Sequence, residues 1–318
     1  MRINEFASIR WDIRTEPVLC PPILSPIIAD PSIIAPEDSP DGRWHLFAHS
    51  IYGIHHHISE DGIAWRRLKT IAKNAMRPCA RKVDSHYVIY YEKYRPFHIL
   101  FSWAPIKWKS SIQMRISDDL VIWSAYSNIL EPSLDWMRDD KYGSSVSNPC
   151  LVKMDFGWRL YFSASLAYVP DCGFCEPRHI AYADSACLTG PYDVHPKPII
   201  SPVIDDPWRN LAAGAIKVIP LDDGYIGLQN GIYIDNNTGR SGSAILLLES
   251  KDGIRWNKLK NEPLIRPTDG WMRSHVYAVD AGFSESIGGW YLYFNARDDW
   301  HWTKGKEKIG MAIGKIPS

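Results

Sequence analysis

The chain is predicted to be an all-β protein, a five-bladed β-propeller of four-stranded antiparallel blades, and three observations in its 318 residues carry that expectation. Trp65 in SEDGIAW, Trp123 in SDDLVIW and Trp256 in SKDGIRW each close a Ser-x-Asp-x-x-x-Trp segment, and ADSACLTGPY puts Tyr192 in the same place. Each segment follows a run of alternating apolar and polar residues: WHLFAHS, YVIYYEKY, WRLYFSAS and GYIGLQNG, with WYLYFNAR as the last copy. A repeat of roughly sixty residues with period-two hydrophobicity inside it is the mark of propeller blades. The third observation concerns the ends. The last copy stops at IGMAIGKIPS, one strand short, while RWDIRTEPVLCP from Arg10 reads almost like RWNKLKNEPLIRP from Arg255, the outer strand of the fourth copy. The N-terminal segment is therefore expected to complete the last blade and close the ring, leaving no strand edge inside it unpaired.

Taken in order, the N-terminal strand at about 8–20 joins the fifth blade, and the blades run at about 27–70, 75–128, 145–198, 212–262 and 274–316 of a single domain. In each blade the first strand lines the axis and the others step outward. The Ser-x-Asp turns then fall between third and fourth strands on the far rim, where Asp and Gly serve turn geometry, so Asp61, Asp119 and Asp252 read as structural. The near rim collects the starts of the first strands: Asp30 in ADPSII, Arg77 in RPCARK, Asn148 in SNPCLVK, Gly214 in AAGAIKV and His275 in SHVYAVD. Second strands end there with His49, Glu92, Ser163, Gln229 and Asn295. Polar residues in register around one axis describe the wall of a solvated pocket.

Composition bounds the partners. Lys plus Arg and Asp plus Glu are both 36, which removes any global charge argument for nucleic acid or an anionic membrane. No run approaches the length of a membrane span, and MRINEFASIRW has no apolar core of a signal peptide, so six cysteines are expected in a reduced, cytoplasmic setting. Fourteen Trp and sixteen Tyr suit a protein that handles sugars, whose apolar ring faces stack on aromatics.

With Ala29-Asp30-Pro31-Ser32 opening its first inner strand, the chain resembles the five-bladed propeller glycosidases, glycoside hydrolase family 43 above all and also families 32 and 130. The resemblance implies hydrolysis of a glycosidic bond, with Asp30 as general base or nucleophile and a second carboxyl group on the same rim as the acid. Cleavage needs one protonated and one ionised carboxyl group in environments that push their pKa values apart. Glu92, at the end of the apolar strand VIYYE, is the first choice for the acid, Glu176 in CGFCEPRH the second, and Asp298 or Asp299 in NARDDW the third. An alternative for Glu92 is a carboxylate paired with a rim arginine. Family 43 members usually carry further carboxylates at the openings of later blades, where this chain has Arg77, Asn148 and Gly214. Either the acid has moved, or the protein is a non-hydrolytic sugar-binding or sugar-transferring module.

Four arginines, Arg77, Arg138, Arg209 and Arg273, recur at blade links in NAMR, DWMR, DPWR and DGWMR, and their planar forks suit a charged saccharide. Packing of each Trp-Arg pair between blades is the other reading. Tyr94, Phe97, Phe101, Trp103, Trp108, Trp300 and Trp302 add stacking surface on long loops. Cys172-Gly-Phe-Cys175 with His179 lacks a second Cys pair for zinc, and His55, His56 and His57 alternate faces of one strand. No cofactor is expected, although a divalent ion held by waters and His275 near the axis is conceivable by the resemblance.

Overall fold

The computed structural model describes residues 1–96 and 107–316 and is almost wholly β, with one short helix, α1 (Ile3–Ala7), ahead of the first strand. The predicted alternation becomes successive groups of antiparallel strands, each hydrogen-bonded to the next in sequence. The first group is β2 (Ala29–Ile34), β3 (Trp44–Ser50), β4 (Gly53–Ser59) and β5 (Arg66–Ala72); β1 (Arg10–Ile13) belongs elsewhere. The second is β6 (Ala75–Val83), β7 (His86–Tyr94), β8 (Trp108–Ser117) and β9 (Ser127–Leu130), with two-residue pieces β10 (Arg138–Asp139) and β11 (Gly143–Ser144) added beside β8. The third is β12 (Val146–Met154), β13 (Gly157–Val169), β14 (Phe174–Ser185) and β15 (Asp193–Val194). The fourth is β16 (Ile216–Leu221), β17 (Gly224–Ile234), β18 (Ser241–Ser250) and β19 (Asn257–Lys258). The last is β20 (His275–Ser284), β21 (Gly289–Arg297) and β22 (Glu307–Lys315).

The strand expected at the N-terminus is β1, and it pairs with β22 in register, Arg10 opposite Lys315 through Ile13 opposite Ala312. Leu19 continues the contact as a bridge to Ile309. Helix α1 buries Ile3 and Phe6 in the core of the last two groups, and Phe6 meets the Trp290 ring edge-on at 4.9 Å. A single parallel bridge, Ser243 to His275, joins β18 to β20 and merges those two groups into one sheet. Among the described residues no helix is long and apolar enough to cross a membrane.

The repeated Ser-x-Asp segments are turns, as their composition requires. In each, the Asp side chain accepts two backbone N–H bonds: Asp61 from Ile63 and Ala64, Asp119 from Val121 and Ile122, Asp252 from Ile254 and Arg255. The aromatic residue that ends each segment packs on the second strand of the preceding group. Trp123 meets Phe47 edge-on, Trp256 meets Tyr161, and Tyr192 reaches the Tyr90 hydroxyl. Trp65 of the first group packs in the same manner on Tyr293 of the last. Each second-strand tyrosine also donates its hydroxyl to a turn carbonyl of its neighbour, Tyr161 to Gly253 at 2.8 Å and Tyr293 to Gly62 at 2.7 Å. Both glycines have positive φ, and a Cβ there would strike the tyrosine hydroxyl within 2.7 Å, so the turn and the contact demand the same residue. The motif is therefore an inter-group clamp repeated along the chain.

Candidate active site

The site is built by a defect in the innermost ladders. Register shifts fall between Ala29 and Ser32, Met76 and Cys79, Ser147 and Cys150, and Val276 and Val279, so each of these strands carries a bulge near its start. Asp30, Arg77 and Asn148 sit in the first three with φ of 51°, 56° and 46°, each directly before a proline. A non-glycine residue held there stores about 1–3 kcal/mol, and a bulge re-aims its side chain. Proline, which has no N–H to give a ladder, suits the next position. The three side chains consequently turn toward a common depression rather than lying along their sheets.

Bulges leave backbone groups without ladder partners, and polar residues at the ends of second strands satisfy them across the group boundary. Ser163 donates to the Gly214 carbonyl at 2.6 Å, Asn230 to the Val276 carbonyl at 3.1 Å, and Asn295 accepts from the Asp30 N–H at 3.0 Å. The polar register seen in the sequence thus has a structural cause as well as a chemical one.

The depression encloses about 610 Å³ counted to its open mouth. Asp30, Glu176 and Glu307 supply its carboxyl groups, Arg77 and Arg297 its guanidinium groups. Asp30 lies 3.1 Å from Nδ1 of His49. Glu176 is buried, and that burial lifts its pKa to about 7 against the opposing pull of Arg77 and Arg297. Arg77 is bound at 2.7 Å by Glu92, and its other Nη is 3.8 Å from Glu176. Arg297 is bound at 2.5 Å by Glu307, whose second oxygen accepts from Asn295. One buried carboxyl group inclined to keep its proton and one lightly exposed carboxyl group therefore share a water-accessible hollow.

No protein-family model matches the chain, and no curated protein matches it. Solved structures do. An α-L-arabinofuranosidase from Podospora anserina, in complex with cellotriose, is 13% identical at a TM-score of 0.68 over 98% of each chain. A structure from the GH130 family of mannoside phosphorylases, which contains glycoside hydrolases that target β-1,2 mannosidic linkages in Candida mannan, is 15% identical at a TM-score of 0.64 over 97% of this chain and 94% of that one. An exo-1,5-α-L-arabinanase from a bovine ruminal metagenomic library is 13% identical at 0.58, over 91% and 92%. The fold is β-propeller-like. At these identities the likeness is one of backbone, and what the propeller-like chain does is decided by the side chains around its own depression.

Of the residues expected there, Asp30, His49, Arg77, Asn148, Glu176, Gly214, Asn295 and Trp302 line the hollow of this propeller-like fold. Glu92 does not: it is fully buried behind Arg77, with Trp108 Nε1 donating to its second oxygen at 3.0 Å, which is the rim-arginine pairing. Gln229 faces away, bonded to the Ala213 carbonyl and Arg209, and its neighbour Asn230 takes the wall position. A one-residue slip in a strand changes the face. His275 lies under Tyr277, stacked at 5.2 Å and 2°, and Tyr277 is the residue that meets the hollow. Ser163 is buried in its inter-group bond.

The remaining arginines part company. Arg138 is exposed and donates to the Pro132 carbonyl, while Arg209 bonds Gln229 beside Asp206. Arg273 donates to the Asp298 carbonyl and sits 5.5 Å from the Trp300 ring, whose other close cation is Arg240 at 4.2 Å. Asp298 itself accepts from the Lys306 N–H and shapes that loop. The tryptophans of the links pack on the following group, Trp136 stacked on Phe162 and Trp271 on Phe294, but Arg138 and Arg273 stay exposed and do not pack with them as pairs. Phe97, Phe101 and Trp103 lie outside the described residues. No group of three or more His, Cys, Asp or Glu among the described residues is placed to hold a metal ion. Sequence reasoning missed Glu307, Arg297, Asn230 and Tyr277. Arg297 was legible as the residue two past Asn295 on the same face, whereas Glu307 opens a strand after a loop and carries no motif.

Proposed function

We propose that this chain is a single-domain, five-bladed propeller, its ring closed by β1 on β22, that hydrolyses a glycosidic bond of a saccharide held in the central depression. The ring reading is supported by Trp65 packing on Tyr293, which joins the first group to the last. The observation that carries the chemistry is the pair Asp30 and Glu176 on one hollow, the latter with its pKa lifted to about 7. In this reading Glu176 gives its proton to the glycosidic oxygen as the bond to the anomeric carbon breaks. Asp30 takes a proton from the water that attacks that carbon from the opposite face, with inversion. Glu176 replaces Glu92 as the acid because the Glu92 carboxylate is spent on Arg77 and Trp108 and does not meet the hollow. His49 orients Asp30, and Asn148, Asn230 and Asn295 offer donors and acceptors for sugar hydroxyls.

The test is turnover of a panel of pentosides and hexosides, with uronic acids and sugar phosphates included, by wild type, Asp30→Asn and Glu176→Gln. Loss of turnover in both variants with folding intact supports the reading. Unchanged turnover in Asp30→Asn defeats it. A second reading, a sugar-binding module without hydrolysis, is favoured by Arg77, Asn148 and Gly214 standing where the resemblance expects carboxylates. It predicts saccharide binding by calorimetry with no product from any member of the panel.

A further inference from the structure

Two guanidinium groups face Glu176, and each is already bound by another buried carboxylate. Arg77 is 2.7 Å from Glu92 through Nη1, while its Nη2 stands 3.8 Å from Glu176, beyond hydrogen-bond reach. Arg297 is held by Glu307 through both Nε and Nη2, at 3.2 and 2.5 Å. Glu92 is fully buried, and both its oxygens are taken, one by Arg77 and one by the Trp108 indole. A buried ion pair of this kind is weak evidence for stability, since a well-packed apolar pair does as well or better. Its placement beside a third carboxyl group is the informative part. An unpaired guanidinium at 3.8 Å would favour ionisation of Glu176 and strip it of the proton a general acid must carry.

We propose that Glu92 is a positioning residue for the candidate acid: by capturing Arg77 it withholds that guanidinium from Glu176 and so favours the protonated form of Glu176. Glu307 does the same for Arg297 on the other side. The inference rests on Glu176 being the acid, and it deepens that reading by giving the buried carboxylates a task that neither packing nor substrate contact supplies. The charged and titratable groups that face Glu176 are Arg77 from β6, Arg297 from β21, Glu307 from β22, Asp30 from β2, Tyr277 from β20, and the thiols of Cys172 and Cys175. Only the two arginines favour its charged form. Its rise to about 7 is therefore what remains when burial wins over two guanidinium groups that are bound elsewhere.

The experiment is Glu92→Gln, which keeps an oxygen for Trp108 and removes the charge that binds Arg77. The expected result is a Glu176 pKa lowered by about one to three units, the range for a carboxyl group gaining an arginine. It is read in two ways: by ¹³C NMR titration of labelled Glu carboxyl groups, with Glu176→Gln assigning the resonance, and by the upper limb of the kcat–pH profile, which moves down by the same amount. The double variant Arg77→Met/Glu92→Gln removes the freed guanidinium and should return the Glu176 titration toward that of wild type. An unchanged Glu176 titration in a folded Glu92→Gln protein overturns the proposal, as does a double variant that titrates like the single one. The two readings fail separately. If Glu176→Gln retains full turnover, the acid assignment falls, and the NMR titration still decides whether Glu92 controls Arg77.

Discussion

Asp30 and His49 meet at 3.1 Å across adjacent strands of one ladder, the His49 backbone facing Ala29 and its imidazole reaching past the bulge to the carboxylate. The bulge makes the contact: without the extra residue at positions 30 and 31 the Asp side chain would follow the pleat of β2. The Asn295 side chain anchors the same residue from the last strand group, by accepting its N–H. Asp30 is thus fixed from two sides at the mouth of the hollow. Asp30→Asn is expected to lower kcat by about 10²–10⁴-fold, the usual contribution of a general base, with no loss of fold. His49→Ala should cost less and raise the variability of the site, read as a fall in kcat with KM nearly unchanged.

Activity should depend on pH through Glu176. Its proton must be present, so kcat is expected to fall as pH rises through about 7. The same group has a stability consequence of definite sign. A carboxyl group raised above its ordinary 4.5 binds its proton more tightly in the folded chain, so its contribution is present at low pH and is lost as pH rises through about 7. Glu176→Gln is therefore expected to be inactive yet to melt at a higher temperature than wild type above pH 7. Calorimetric melting curves across pH 5 to 9 would show the two effects moving in opposite directions.

Acid should unfold the protein through β4. His55, His56 and His57 are consecutive and buried, and burial depresses them to about 3, 3 and 4 from an ordinary 6.5. His56 is further tied to His45, which in turn meets Asp41. Groups lowered in this way stabilise the folded chain fully above 6.5, and that contribution is lost as pH falls toward their folded values, at up to about 1.4 kcal/mol per pH unit for each. Thermal stability should drop steeply between pH 6 and pH 4. A His57→Gln variant that keeps the wild-type slope would remove His57 from this account.

Deleting residues 1–13 should destabilise the last strand group selectively. The truncation removes β1 from β22 and takes Ile3 and Phe6 out of the adjoining core. An unpaired β22 edge is a template for aggregation. The expected outcome is a lower melting temperature with concentration-dependent association, and hydrogen exchange should show the loss of protection concentrated in β20, β21 and β22.

Much of the frame was legible in advance. The Ser-x-Asp turns follow from turn chemistry acting over a few residues, and the pairing of the N-terminal strand is legible from its likeness to the outer strand of the fourth copy. Asp30 was legible because Asp-Pro at the opening of a first inner strand is a local pattern. Gln229 and Asn230 are not told apart by sequence because β17 is buried on both faces there, so burial marks neither side, and one step reverses the side. His275 opens β20, but Tyr277 lies in the bulge that meets the hollow, and the position of that bulge is not written in the residues of the strand. Glu92 looked like an acid because it ends an apolar strand. Its partner Arg77 belongs to the neighbouring strand, and nothing in VIYYE announces it.

The order of strands and the turns between them were determined by the sequence alone, because alternation and turn preference are properties of short segments read one at a time. Which carboxyl groups face the hollow was decided only by the tertiary structure. Asp30, Glu92, Glu176 and Glu307 come from separate stretches of chain, and whether each meets water or an arginine depends on where the bulges aim the side chains and which guanidinium arrives from the adjacent strand. The charge state of a buried group is set by everything packed around it, and that surrounding exists only once the chain has folded.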